Sequence, residues 1–222
     1  PLDSGAVAIR LSYETDPRNP VFSVDGSLVV YTARDMFGSK NLYTIQPDGS
    51  AYKKVTSFND PADAVVPVGI TTLEPSILYV MPSQTIKNQF EIWSINLDGS
   101  SDQFLTVCTL EADDRPRISP NGEKVLYQRD HNLWIMNIDG SEQVRLTDLP
   151  SGHLAYHGQY SPSGSHIVYI HRLGNWGAES FIEWVRPNGQ DFSRLSERHN
   201  IVLSDNEIQA NNNFRFWPVF QP

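Results

Sequence analysis

The sequence has a single cysteine, Cys108, in 222 residues. One thiol excludes an intrachain disulfide and a thiolate metal cluster. Within the apolar run from Phe104 to Leu110 it reads as a small buried hydrophobe, not a reactive nucleophile. No run approaches the ~18 apolar residues of a membrane-spanning helix, and no signal-peptide pattern is present. Positive charge is also scarce, with 17 Lys and Arg against 26 Asp and Glu and a formal net charge of -9. Such a surface repels phosphate, so neither nucleic acid nor an anionic membrane is an expected partner. Lys53-Lys54 is the only adjacent basic pair. Missing too are a Gly-x-Ser-x-Gly elbow, a His-Glu-x-x-His pair, a Walker loop and a dinucleotide fingerprint.

What the sequence does contain is a repeat. Its clearest copy runs from Arg115 to Leu149: Pro116-Arg117-Ile118-Ser119-Pro120-Asn121-Gly122, Val125-Leu126-Tyr127, Leu133 to Ile138, Asp139-Gly140-Ser141, then Val144-Arg145-Leu146-Thr147. Short apolar runs separated by turn residues predict four strands of a meander. An Asp-Gly pair between alternating runs is a hairpin signal, because both residues tolerate positive φ. Asp48-Gly49, Asp98-Gly99, Asp139-Gly140 and Asn188-Gly189 all fit that description. Six residues beyond each glycine comes an apolar residue followed by a hydroxyl: Val55-Thr56, Leu105-Thr106, Leu146-Thr147 and Leu195-Ser196. An earlier turn repeats as well, with Gly26, Gly122 and Gly164 each followed five residues later by Tyr31, Tyr127 and Tyr169. In the second copy that turn is degenerate, Thr71-Thr72-Leu73-Glu74-Pro75 standing before Ile77-Leu78-Tyr79. Four short strands in a period of roughly 40 to 50 residues belong to propeller blades.

Phe22-Ser23-Val24-Asp25-Gly26, Ile118-Ser119-Pro120-Asn121-Gly122 and Tyr160-Ser161-Pro162-Ser163-Gly164 each precede an apolar strand ending in Tyr, then Asp/Asn-Gly and Leu-Thr/Ser. This unit resembles the WD-like repeat of TolB-type β-propellers over about residues 14 to 196. The resemblance implies an all-β propeller of four-stranded antiparallel blades in a periplasmic or extracellular setting. It leaves function open, since the repeat serves scaffolds, peptidase gates and carbohydrate lyases alike.

A chain of this length and 39% hydrophobic content is expected to form one domain over residues 1–222. Four blades are predicted at about 16–58, 62–108, 112–149 and 155–196. Residues 1–15 contain Ile9-Arg10-Leu11-Ser12, which matches a blade's last strand, and Pro218-Val219-Phe220 repeats Pro20-Val21-Phe22. Residues 1–15 and 197–222 therefore read as closure strands, a partial or abbreviated fifth blade, or the cut edges of a larger propeller. Pro1 in place of an initiator Met points to a processed or excised chain.

Four of the six histidines, His153, His157, His166 and His171, fall between residues 153 and 171. His166 and His171 differ by five positions, so one regular strand would turn them to opposite faces. His157-Gly158-Gln159 opens a blade's innermost strand, where propeller ligands enter. The segment from Tyr160 to Gly189 also looks like oligogalacturonate lyases, whose metal is held by histidines and a glutamine. That likeness carries over only to His157 and Gln159, the two metal-ligand candidates; Asn211-Asn212-Asn213-Phe214 stands where further histidines are expected. The turn carboxylates Asp25, Asp48, Asp98 and Asp139 read as backbone caps, not calcium ligands. Asp113-Asp114-Arg115 and Asp16-Pro17-Arg18 read as carboxylate–arginine links between blades. Tyr31, Tyr79, Tyr127 and Tyr169 read as packing between blades. Trp176, Phe214, Phe216 and Trp217 are the candidates for an exposed partner contact.

The expectation is a non-catalytic binding or scaffold module with no cofactor. Its partner is another protein, or a copy of itself completing the ring. The alternatives are a metal-dependent polysaccharide lyase and the substrate-gating propeller of a peptidase.

Overall fold

The computed structural model describes residues 11, 14–59, 65–71, 75–109, 114–174 and 179–195. Those residues form sixteen strands in four four-stranded antiparallel sheets, each a meander. Blade 1 consists of β1 (Thr15–Phe22), β2 (Val29–Arg34), β3 (Lys40–Ile45) and β4 (Lys53–Lys54). Blade 2 consists of β5 (Val66–Ile70), β6 (Ser76–Pro82), β7 (Phe90–Asn96) and β8 (Gln103–Cys108). Blade 3 consists of β9 (Arg117–Ile118), β10 (Lys124–Arg129), β11 (Asn132–Asn137) and β12 (Val144–Arg145). Blade 4 consists of β13 (Leu154–Tyr160), β14 (Ile167–Arg172), β15 (Ser180–Val185) and β16 (Phe192–Arg194). The fold is an all-β propeller type. Residues 1–10 and 196–222, which carry the expected closure strands, lie outside the described residues.

The chain divides into two compact units, Pro1–Lys87 with Glu91–Thr106, and Asn88–Phe90 with Val107–Pro222. Blades 1 and 2 belong to the first and blades 3 and 4 to the second, β8 ending just past the division. The core of the first contains Val30, Leu42, Val55, Val65, Ile70, Ile77, Tyr79 and Ile95. The core of the second is built around Leu126, Leu133, Ile135, Ala155, Tyr160, Ile167 and Tyr169.

Three repeated hydrogen-bond devices make the blades. At the Asp-Gly turns the carboxylate caps the backbone: Asp48, Asp98 and Asp139 each accept from the N–H two residues on, at 2.8, 2.9 and 2.9 Å. These bonds hold all three carboxyls below their ordinary range, the hydroxyls of Ser50, Ser100 and Ser141 contributing most.

The second device is a hydroxyl that accepts from the backbone N–H five residues on, where the second strand of a blade begins. Ser23 Oγ accepts from Leu28 N at 3.0 Å, Ser119 Oγ from Lys124 N at 2.9 Å and Ser161 Oγ from His166 N at 3.1 Å. The turn that looked degenerate keeps the same bond, Thr71 Oγ1 accepting from Ser76 N at 3.2 Å.

The third joins a blade's third strand to the segment that follows its outer strand. Thr147 Oγ1 accepts from Leu133 N at 3.0 Å and donates to Asn132 Oδ1 at 3.0 Å, which also accepts from Leu149 N at 3.0 Å. Blade 1 repeats it with Thr56, Leu42, Asn41 and Phe58.

The four blade tyrosines are buried, and each hydroxyl donates to an oxygen of Glu14, Asp102, Gln143 or Glu183. Cys108 is buried, and burial pushes its thiol up to about 12, away from thiolate reactivity. In one of the two segments expected to link blades by a carboxylate–arginine pair, Asp113 lies outside the described residues. In the other, Asp16 pairs within its own blade, with Arg18 at 2.7 Å and Arg34 at 3.5 Å.

Candidate functional site

His157 owes its position to a backbone irregularity. The pairing of β13 with β14 slips between Tyr156↔Ile170 and Gln159↔Val168, so one extra residue is accommodated at His157-Gly158. His157 itself has φ +53°. In blade 1 the same slip occurs between Arg18↔Thr32 and Val21↔Val30, and Asn19 has φ +53°. Tyr31 and Tyr169 mark the register, so Asn19 and His157 are equivalent positions. The bulge is thus a property of the blade's first strand, and its strain does not by itself mark a ligand site.

Asp114, almost fully buried ahead of β9, ties this bulge to the neighbouring blade. Its Oδ2 accepts from His157 N at 2.6 Å, and its Oδ1 lies 3.8 Å from His157 Nδ1. One link between these two blades is thus a carboxylate on a backbone amide. Burial holds the Arg117 guanidinium below its ordinary range, and the Asp114 charge opposes that effect. Gln159 Oε1 is buried and accepts no hydrogen bond from the described residues. Gly158 lets the strand approach closely, since a Cβ there would stand 2.9 Å from Leu126 Cδ2. No group of three or more His, Cys, Asp or Glu side chains among the described residues is arranged to hold a metal ion. Trp176, Phe214, Phe216 and Trp217 lie outside the described residues.

A second cluster in blade 4 has no counterpart in the sequence reading. His153 Nδ1 and His171 Nε2 are 2.9 Å apart, and His171 Nδ1 is 3.0 Å from Glu183 Oε2. The same Glu183 oxygen accepts from Tyr169 Oη at 3.0 Å, and its Oε1 accepts from Arg194 Nε and Nη2, both at 3.1 Å. Because the carboxylate accepts, His171 carries its proton on Nδ1 and its Nε2 accepts from His153 Nδ1–H. Register explains the meeting: Ala155 pairs with His171, so His153 is its diagonal neighbour on the same face, reaching across a small side chain. His166, expected on the other face, packs its ring edge-on to Trp184 at 4.7 Å.

A third feature is the β2–β3 turn, Asp35-Met36-Phe37-Gly38. Asp35 Oδ1 accepts from Phe37 N at 3.0 Å and Ser39 N at 3.1 Å, while its Oδ2 accepts from Lys54 Nζ at 2.9 Å. Arg34 Nη1 donates to Gly38 O at 2.6 Å. The turn is fixed on every polar side, yet Met36 is 89% and Phe37 81% exposed. The corresponding β6–β7 connection of blade 2 exposes Ile86.

No protein-family profile and no curated protein matches the sequence. Among solved structures, the chain is similar to a TolB-like protein from Agrobacterium tumefaciens, with 19% identity and a TM-score of 0.62 over 85% of this chain and 68% of that one. It is similar to TolB from Acinetobacter baumannii at 18% identity and TM-score 0.59, covering 82% of this chain and 44% of the other. The β-propeller domain of the Trilobed protease from Pyrococcus furiosus aligns at 13% identity and TM-score 0.50, over 82% and 57%. The likeness is one of fold, and two of these structures are TolB-type propellers. The chain spans less than half of the Acinetobacter protein. Among the described residues no helix is long and apolar enough to cross a membrane.

Proposed function

We propose that this chain is a non-catalytic propeller module that binds another protein in a periplasmic or extracellular setting, its 222 residues acting as one domain. The observation that carries this reading is the Met36-Phe37 turn. Two large apolar side chains displayed on a turn already locked by Asp35, Lys54 and Arg34 offer contact area with little ordering cost on binding. A turn held this firmly has no folding reason to expose them. Trp176, which stands in sequence between β14 and β15, is the corresponding candidate of blade 4, with Phe214, Phe216 and Trp217 near the end of the chain. The TolB-type resemblance supports the same class of role and the same setting.

The test is affinity capture from a periplasmic or secreted extract with the wild-type chain and a Met36→Asp/Phe37→Asp variant. A discrete partner retained by the first and lost by the second is expected. The rival lyase reading places a metal at His157 and Gln159. Stoichiometric metal in the purified protein that disappears in His157→Ala would replace the binding reading with that one.

A further inference from the structure

The contact between His153 and His171 has room for a single proton. At 2.9 Å, Nδ1 of one ring and Nε2 of the other form a hydrogen bond only while one of the two is unprotonated. Glu183 fixes which one, since its carboxylate requires the proton of His171 on Nδ1. A proton placed on the remaining nitrogen of His153, Nε2, leaves both bonds intact. A second has only His171 Nε2 to occupy, and there it sets N–H against N–H.

We propose that His153 and His171 form a one-proton latch on the connection between blades 3 and 4, which opens when the pair is forced to take a second proton. The connection runs from Leu146 to His153. It ends in a turn closed by His153 N donating to Pro150 O at 3.0 Å, and Ala155 N donates to His131 O at 2.9 Å just beyond. The His153 side chain adds a tie from this turn to β14, beside the strand pairing that begins at Leu154↔Arg172.

The charged and titratable groups around the pair come from every neighbouring strand. Tyr169 and Arg172 stand on β14, Glu183 on β15, Arg194 on β16 and His131 on the β10–β11 turn. Arg172 is turned to Gly174 O at 2.9 Å and to the Tyr156 ring, and Asp148 to Arg145 at 2.6 Å. Arg194 stands on Glu183 and lowers what that carboxylate offers to a second imidazolium. Burial is the largest influence on His171 and holds its titration below the ordinary histidine range; Glu183 opposes this, and the His153 charge adds to it. A histidine depressed in the folded state binds more protons once released. The latch is therefore at full strength above about pH 6.5 and is lost as pH falls through the folded value.

Hydrogen exchange of the intact chain at about pH 7.5 and about pH 5, corrected for intrinsic rates, reads the latch directly. Amides from Leu149 to Tyr156 are expected to lose protection beyond any loss seen in β10 and β11. In His153→Asn, whose side-chain amide keeps a donor near the Nδ1 position but takes no proton, the extra loss is expected to vanish. Equal protection at both pH values, an equal loss in β10 and β11, or an undiminished loss in His153→Asn overturns the proposal. Nitrogen chemical shifts of the labelled histidines give a second readout from the wild type alone. They should show one proton entering the pair while His171 Nε2 stays bare, and two independent titrations near the ordinary value overturn it.

Discussion

Gly99 has φ +89°, and a Cβ built on it would stand 2.6 Å from the carbonyl oxygen of Val55. Backbone cannot step aside as a flexible side chain can. Gly99→Ala therefore combines a left-handed residue with an overlap and is expected to lower stability by about 2–3 kcal/mol in denaturant unfolding. A loss under about 0.5 kcal/mol would mean that the two strands are not this close. The Asp-Gly pair was visible in the sequence as a turn, but its packing against Val55 was not, because that contact needs two blades in register. The same limit applies to the histidines. Counting positions along one strand correctly separates His166 from His171, yet the pair that forms is His153 with His171 across two strands. The signal available was Ala155, a small residue placed so that its diagonal neighbour can reach over it.

At the scale of the element, the Asn–Thr device holds an outer strand of only two residues, β12, on the rest of blade 3. Asn132→Ala leaves the Thr147 hydroxyl and the Leu149 amide without their acceptor, and both lie in poorly solvated positions. A cost of about 2 kcal/mol is expected, with Asn41→Ala costing a similar amount in blade 1. If either change is neutral by chemical unfolding, the device is incidental.

The hydroxyl turn permits a comparison between copies. Thr71→Val and Ser119→Ala should each cost about 1 kcal/mol, although only Ser119 sits in a recognisable Ser-Pro-Asn-Gly motif. Turns and third strands were legible because Asp-Gly and the following Leu-Thr stand at fixed spacing. The first strand was not, since β1 begins at Thr15 and is interrupted by two irregularities that shift its alternation. The bulge at His157 belongs to the same class, its backbone being that of Asn19.

For the whole molecule, acid acts in two windows. The turn aspartates, including Asp25, are held below their ordinary range by hydrogen bonds from neighbouring serines. Carboxyls depressed in the folded state contribute stability that is complete above about pH 4 and disappears as pH falls through the folded values. His171 is depressed by burial, so its loss begins earlier, below about pH 6.5. Thermal unfolding scanned from neutral to strongly acid pH should therefore fall in two stages, and His171→Gln should remove the first while leaving the second. A single decline confined to the carboxylate range would contradict the assignment of His171 as a buried neutral imidazole.

A net charge of -9 opposes the approach of a polyanion, and the proposed partner is a protein. Met36 and Phe37 escaped the sequence reading because two apolar residues beside a turn glycine look like the end of a strand. Their exposure emerges only once Asp35 is seen to hold the turn.

The most direct measurement is quantitative capture of partner by the wild-type chain and by Met36→Asp/Phe37→Asp at matched concentration, with unfolding of both as a control. The account predicts that the variant keeps its stability within about 0.5 kcal/mol and loses the partner. Equal capture by the two proteins would contradict the claim that this locked apolar turn is the binding surface.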